Sequence, residues 1–97
     1  MPVPVRRLVL DLLKPHDSET VEFTTTIAEH AGVQGVNAEL IETDREVQTL
    51  KLTIEGDDID VDTVEEVIAD LGGTVHSIDQ VVCGERFVEQ VDTAQDR

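Results

Sequence analysis

The sequence has few of the residues that many recognition and redox sites require. It contains no tryptophan, no tyrosine and two phenylalanines among its 97 residues, and its single cysteine is Cys83. A sheet that binds RNA needs exposed aromatic side chains, and a copper or mercury carrier needs paired cysteines. Both functions are therefore excluded. The lone cysteine also forbids an internal disulfide and is typical of a reducing compartment.

Basic residues are scarce as well. Seven lysines and arginines stand against 22 aspartates and glutamates, which gives a formal net charge of -15. Such an excess repels phosphate backbones and anionic lipids, so we expect no nucleic-acid partner and no membrane partner. The same repulsion weakens a compact state in dilute buffer and is screened by concentrated salt. Because the acids are scattered along the chain, they predict a folded domain. The abundance of Asp, Glu, Thr and Val beside only two lysines is typical of a halophilic protein.

Long hydrophobic runs are also missing. No apolar stretch approaches the ~20 residues of a membrane span, and the first residues lack a signal-peptide pattern, so we expect a cytoplasmic protein. The length predicts a single domain over residues 1–97, with a core at 5–84 and a polar carboxy-terminal tail at 85–97. In that tail, Phe87, Val88 and Val91 are expected to dock on a neighbour or to fray.

The hydrophobic period changes in the order strand, helix, strand, strand, helix, strand. Alternation from Val5 to Leu13 predicts a strand with Leu8, Leu10 and Leu12 facing the helices. Pro15 ends this strand, and Asp17 or Ser18 is the predicted cap of the first helix. Helical spacing then continues to Gly32. Its apolar positions include Val21, Phe23, Ile27, Ala28 and Ala31.

The second half repeats this pattern. Strands at 36–46 and 47–55 form a hairpin with its turn near Arg45. Either Asp62 caps the second helix, with Glu65 completing a capping box, or Asp60 does, with Ile59 and Val64 as a hydrophobic staple. After a glycine stop, the last strand runs from residue 74 to about 83. Its apolar residues fall on both faces, which predicts a bulge or a strand covered on both sides.

Two such strand-helix-strand units with right-handed crossovers interleave into one sheet. The predicted fold class is therefore α+β, a ferredoxin-like βαββαβ sandwich with a four-stranded antiparallel sheet and two helices on one face. The other face stays bare. It carries Val9, Leu13 and Ile41 among polar side chains, and apolar groups there indicate a contact between subunits.

Two places are candidates for ligands. Asp11 lies in a central strand, and the last strand would bring His76, Ser77 or Asp79 beside it. Oxygen ligands suit a hard cation such as calcium or magnesium, although a solvated or cross-strand hydrogen-bonded carboxylate is the alternative. His16 lies in the first strand-to-helix loop, where sites are often built. No base, nucleophile and oxyanion donor can be placed together, so we expect no enzyme and no catalytic residue.

Four segments carry a more specific signal: RRLVLDLLKPH at 6–16, GVQGVN at 32–37, TIEG at 53–56 and VHSID at 75–79. They resemble the archaeal family catalogued as domain of unknown function 211. The resemblance implies a ferredoxin-like fold and ring-like homo-oligomers, and it leaves open a bound divalent cation. It transfers no catalytic residue to this chain.

Two functions remain open from the sequence. The first is a non-enzymatic homo-oligomer whose bare sheet face builds a ring, with a cation held by Asp11 and the last strand. The second is a regulatory module that senses a small molecule, with the ligand at a subunit boundary near His16, Gly32 and Gly35.

Overall fold

A computed structural model describes residues 3–16, 18–30 and 32–89. The elements are β1 (Val5–Pro15), α1 (Thr20–Ala28), β2 (Val33–Thr43), β3 (Val47–Gly56), α2 (Val61–Asp70) and β4 (Thr74–Cys83). The strands form one antiparallel sheet in the order β2-β3-β1-β4. This arrangement confirms the α+β, ferredoxin-like prediction. Within the described residues, no helix has the length and hydropathy needed to cross a membrane.

The core lies between the two central strands and the helices. Leu8, Leu10 and Leu12 of β1 are opposite Ile54, Leu52 and Leu50 of β3, and all six side chains are buried. The helices cover them with Phe23, Ile27, Val64, Val67 and Ile68. The predicted inward faces of both strands are therefore confirmed. Apolar side chains are buried where the two central strands pack against the two amphipathic helices.

The start of α1 differs from the prediction. Ser18 does not cap the helix, because its hydroxyl donates instead to the carbonyl of Pro15, and Asp17 lies outside the described residues. The N-cap is Glu19, whose side chain makes no capping hydrogen bond. The loop is organised by the Lys14 ammonium, which donates to the carbonyls of Pro15 and Ser18.

The helix also ends earlier than Gly32, the predicted stop. It ends at Ala28, after three threonines whose hydroxyls donate to carbonyls three or four residues earlier. Such bonds make threonine a poor helix former. Gly32 has a φ of +86, which glycine tolerates best, and the predicted helical Ala31 lies outside the described residues.

The second helix resolves the two capping alternatives. The Asp60 side chain accepts from the backbone N–H of Thr63 at 3.2 Å, so Asp60 is the cap and the alternative with Asp62 and Glu65 is wrong. Ile59 and Val64, the expected staple pair, are both buried in the core.

The hairpin turn lies where it was predicted, but β2 is shifted toward the amino terminus. It begins at Val33 instead of residue 36 and ends at Thr43 instead of residue 46. Val33 already pairs with Gly56 of β3, which draws the earlier residues into the sheet. At the turn, the N–H of Asp44 donates to the carbonyl of Val47 at 2.9 Å.

The predicted bulge in β4 is confirmed, and it occurs more than once. The register with β1 advances from Val75 to Ser77 and from Ile78 to Gln80, so His76 and Asp79 have no opposite residue. Val75, Ile78 and Val81 consequently share the helix-facing side, opposite Leu12, Leu10 and Leu8. Because these three residues are spaced three apart, they fall at both odd and even positions, which is why the sequence alone placed apolar residues on both faces of the strand.

Candidate open-face and edge sites

The open face is the side of the sheet that neither helix covers, and a polar row crosses it. Asp11 of β1 is opposite Lys51 of β3 on one side and Ser77 of β4 on the other. Glu39 of β2 is opposite Lys51. Residues directly opposite in antiparallel strands share a face, so these four side chains form one line. Asp11 and Ser77 are therefore side by side, as predicted.

The four predicted cation ligands are only partly brought together. Ser77 Oγ donates to Asp79 Oδ1 at 2.9 Å, and Lys51 Nζ lies 3.8 Å from Asp79 Oδ2. His76 is exposed at its bulge. In the part of the chain that the structure describes, no group of three or more His, Cys, Asp or Glu residues is placed to hold a metal ion. The Lys51 ammonium instead supplies positive charge beside Asp79.

Asp11 has an unusual environment within this row. Its Oδ1 atom is buried and has no hydrogen-bond partner among the described residues. A buried carboxylate oxygen without a donor is costly, because it gives up water and gains nothing in exchange. Asp11 is therefore the residue of this row at which an added donor or cation would relieve an uncompensated oxygen.

His16 and the two glycines of the predicted ligand site lie at opposite ends of the sheet. The N–H of His16 donates to the carbonyl of Glu46, beside the end of β1. Gly35 is opposite Glu55, which is itself opposite Arg7 near the start of β1. At about 3.3 Å per residue, these ends are roughly 27 Å apart. Within one chain, the structure does not bring His16 to Gly32 and Gly35.

A shallow groove does pass over Gly35. Its volume is about 640 Å³, and its lining residues are Gln34, Gly35, Val36, Asn37, Thr53 and Glu55. No atom lies within 4 Å of the position a Cβ would take on Gly35, so the glycine leaves the groove open. The lining offers the amides of Gln34 and Asn37, the hydroxyl of Thr53 and the carboxylate of Glu55. Such a groove can bind a small polar molecule, and whether it does remains a prediction.

Arg7 is a centre of contacts that the sequence reasoning missed. Its Nη2 lies 2.7 Å from Glu55 Oε2, and its Nη1 contacts Gln80 Oε1 at 3.3 Å and Glu89 Oε1 at 3.2 Å. Its guanidinium carbon lies 4.5 Å from the Phe87 ring centroid. The hydrogen bond with Glu55 is the main cause that raises the pKa of Arg7. The only sequence signal was a basic residue on the bare face of an acidic chain.

These contacts determine where the first residues of the predicted tail lie. Phe87 docks on Arg7 of its own chain, Val88 is exposed, and Val91 lies outside the described residues. The residues directly after β4 are therefore part of the structure around the open face.

Exposed apolar side chains are concentrated on the two edge strands. Leu40 and Ile41 of β2 and Ile78 and Val81 of β4 are 47% to 53% exposed. In contrast, Val9 and Leu13, which were expected to make the open face apolar, are half-buried. Ile41 is exposed at a bulge, where the register of β2 advances from Leu40 to Glu42. Within the sheet, the exposed large apolar side chains therefore lie on the edge strands.

Comparison with known proteins confirms the family resemblance. Residues 6–97 match the model of the DUF211 family, described as uncharacterized ArCR. The chain is also 44% identical over 93 residues to uncharacterized protein MJ0319 of Methanocaldococcus jannaschii, which covers 96% of each protein. The family match continues past β4, beyond the four motifs on which the resemblance was recognised.

Proposed function

This chain belongs to the uncharacterized archaeal family DUF211, and we propose that it acts as a non-enzymatic protein that assembles with copies of itself into a ring. The observation that carries this proposal is the pair of exposed apolar edges, β2 with Leu40 and Ile41 and β4 with Ile78 and Val81. Covering these side chains would stabilise the assembly by about 25 cal/mol for each Å² of apolar surface buried. A small domain with a thin core gains most from such a contact.

The two edges differ in sequence and shape, which favours head-to-tail contact. When the β2 edge of one copy meets the β4 edge of the next, every copy keeps one edge of each kind available until a ring closes. The bulges at Ile41, His76 and Asp79 interrupt the edge backbones. Bulges discourage continuous strand pairing between molecules, so the proposed contact is made mainly by side chains.

Light scattering coupled to size-exclusion chromatography tests the assembly. Leu40→Asp and Ile78→Asp each place a charge in a proposed contact and should reduce the particle mass to that of one chain. Val21→Asp is the matched control, because Val21 is 73% exposed on α1 and belongs to neither edge strand. It should leave the mass unchanged. A wild-type protein that has the mass of one chain at every concentration would refute the proposal.

A divalent cation on the open face is a second proposal, favoured by the buried, unpartnered Oδ1 of Asp11. Calcium or magnesium would gain further oxygens from Ser77 and Asp79, provided that Lys51 leaves Asp79. Isothermal titration with each ion should give binding to the wild type and none to Asp11→Asn. Equal binding by both proteins would exclude Asp11 as a ligand. Repeating the light scattering with each ion shows whether assembly depends on it.

A further inference from the structure

The segment directly after β4, residues Gly84–Glu89, is fastened to β1, and we call it the clasp. The N–H of Gly84 donates to the carbonyl of Pro4 at 2.8 Å. Arg6 Nη1 donates to the carbonyl of Glu85 at 2.9 Å. Further along, the clasp meets Arg7 through Phe87 and Glu89. Two consecutive arginines of β1 therefore hold the clasp at both of its ends.

Side chains of the sheet hold the Arg7 guanidinium in place independently of the clasp. Glu55 of β3 and Gln80 of β4 both accept hydrogen bonds from its guanidinium. The remaining contacts, with the exposed carboxylate of Glu89 at 3.2 Å and 3.4 Å and with the Phe87 ring, fasten the clasp. An exposed ion pair and a single cation–π contact are individually weak. The end of the clasp from Arg86 to Glu89 is thus held by contacts that can open while the sheet stays intact, whereas Gly84 and Glu85 stay bonded to Pro4 and Arg6.

The closed clasp forms one wall of a groove along β4. This groove has a volume of about 380 Å³ and is lined by Gln80, Val81, Val82, Cys83, Val88 and Glu89. Val82 is only 8% exposed although it lies outside the main core cluster. Val81 and Val88 remain exposed on the two sides of the groove. Opening the clasp would move Val88 and Glu89 away from β4 and so remove one wall of the groove.

We propose that the closed clasp completes the β4 surface that receives the β2 edge of the next copy, so that self-association depends on Arg7 holding the clasp shut. This inference rests on the proposed self-assembly. Leu40 and Ile41 of β2 are the exposed apolar groups that would enter the groove.

Charge complementarity supports the same pairing. Glu39 and Glu42 flank the apolar pair on β2, and Arg86 is exposed on the clasp. In a chain with seven basic residues and a formal charge of -15, two copies repel each other unless a base is placed at their contact. Arg86 is the one base of the clasp, which also carries Glu85 and Glu89, so the pairing requires Arg86 to face Glu39 and Glu42.

Sedimentation equilibrium of the full chain tests the clasp. The double variant Phe87→Ala, Glu89→Gln removes both contacts with Arg7 and leaves Gly84 and Glu85 bonded to β1 and the residue before it, so it releases residues 86–89. It should raise the dissociation constant for self-association by about tenfold or more. Backbone amides of residues 86–89 should exchange hydrogen faster in this variant. Glu85→Gln is the control, because it removes the same charge from the clasp without touching Arg7. Its dissociation constant should match that of the wild type.

A charge exchange tests the pairing itself. Arg86→Glu should weaken association, and adding Glu42→Arg to it should restore association. If Leu40→Asp disrupts assembly while the released clasp associates as tightly as the wild type, the clasp inference fails and the proposed assembly stands. Unchanged hydrogen exchange in the double variant also overturns it, because Arg7 would then not hold the clasp. If the wild type never associates, both fail.

Discussion

The side-chain ammonium of Lys14 lies 2.8 Å from the carbonyl oxygen of Pro15, the next residue in the chain, although the Lys14 side chain is fully buried. It also donates to the carbonyl of Ser18. A buried ammonium is costly unless hydrogen bonds replace its water. Here the partners are loop carbonyls, so the side chain fixes the path of the chain from β1 into α1.

Replacing Lys14 should therefore destabilise the domain. Lys14→Met keeps most of the packing but loses both hydrogen bonds, which should lower the free energy of unfolding by about 1–2 kcal/mol. Lys14→Ala also leaves a cavity, which should raise the loss to about 2–4 kcal/mol. Urea denaturation measures both, with the partly exposed Lys51→Met as the control. A Lys14→Met protein more stable than the wild type would show that burying the charge costs more than its hydrogen bonds return.

Gly56 and Gly35 make a matched pair of tests in adjacent strands. A Cβ on Gly56 would collide with the carbonyl oxygen of Gly32, whereas nothing lies within 4 Å of a Cβ on Gly35. Gly56→Ala should cost about 3 kcal/mol or more because backbone must move. Gly35→Ala should be neutral or stabilise by about 0.4–1 kcal/mol, because it restricts the unfolded chain. Thermal unfolding of both variants measures the two effects, and equal effects would contradict the close approach of Gly56 to Gly32.

The two helix starts suggest a stabilising substitution. Glu19 and Asp60 are both extended N-cap residues, with φ of -81 and -86, but only Asp60 accepts a backbone hydrogen bond with its side chain. Glu19→Asp shortens the side chain to the length that caps well and should add about 0.5–1 kcal/mol of stability. Asp60→Ala should lose about 1 kcal/mol. If Glu19→Asp does not raise the midpoint of urea unfolding, the geometry of the loop after Lys14 prevents capping.

The sequence predicted features that depend on local residue patterns and missed features that depend on contacts between distant residues. Leu8, Leu10 and Leu12 could be assigned to the core because alternation directly reports the buried face of a strand. The cap of α1 could not be predicted, since Ser18 is bonded within a loop that the buried Lys14 side chain organises.

The candidate sites were harder to predict than the core. Asp11 and Ser77 could be placed side by side from strand order. A bulge in β4 could be predicted from its apolar residues at both parities, but the position of that bulge at His76 could not. The contact of Arg7 with Phe87 joins residues 80 positions apart, and only the folded chain reveals it.

The charge of Arg7 should be constant over the whole range in which the protein is studied. Its pKa is raised, chiefly by the hydrogen bond with Glu55, so the folded state favours the protonated guanidinium. The stabilisation is therefore complete below the ordinary pKa of arginine and is lost only as the pH rises through the higher folded value. Arg7→Gln should lower the melting temperature equally at about pH 6 and about pH 9. A loss that differs between these pH values would implicate another titrating group, and Arg45→Gln in the hairpin turn is the control.

Salt should stabilise this domain, because repulsion among its acids outweighs its few attractive pairs. The formal charge is -15, while the described ion pairs involve only two basic residues, Arg7 and Lys51. Raising potassium chloride from about 0.1 M to about 2 M shortens the screening length from about 10 Å to about 2 Å, which removes most long-range repulsion. Contacting pairs such as Arg7 and Glu55 lose less, because their atoms are only 2.7 Å apart. The melting temperature should therefore rise with salt, and the rise should shrink in a variant with Asp57, Asp58 and Asp62 changed to Asn. A melting temperature that falls over the same range would show that the arginine contacts dominate the electrostatics of the fold.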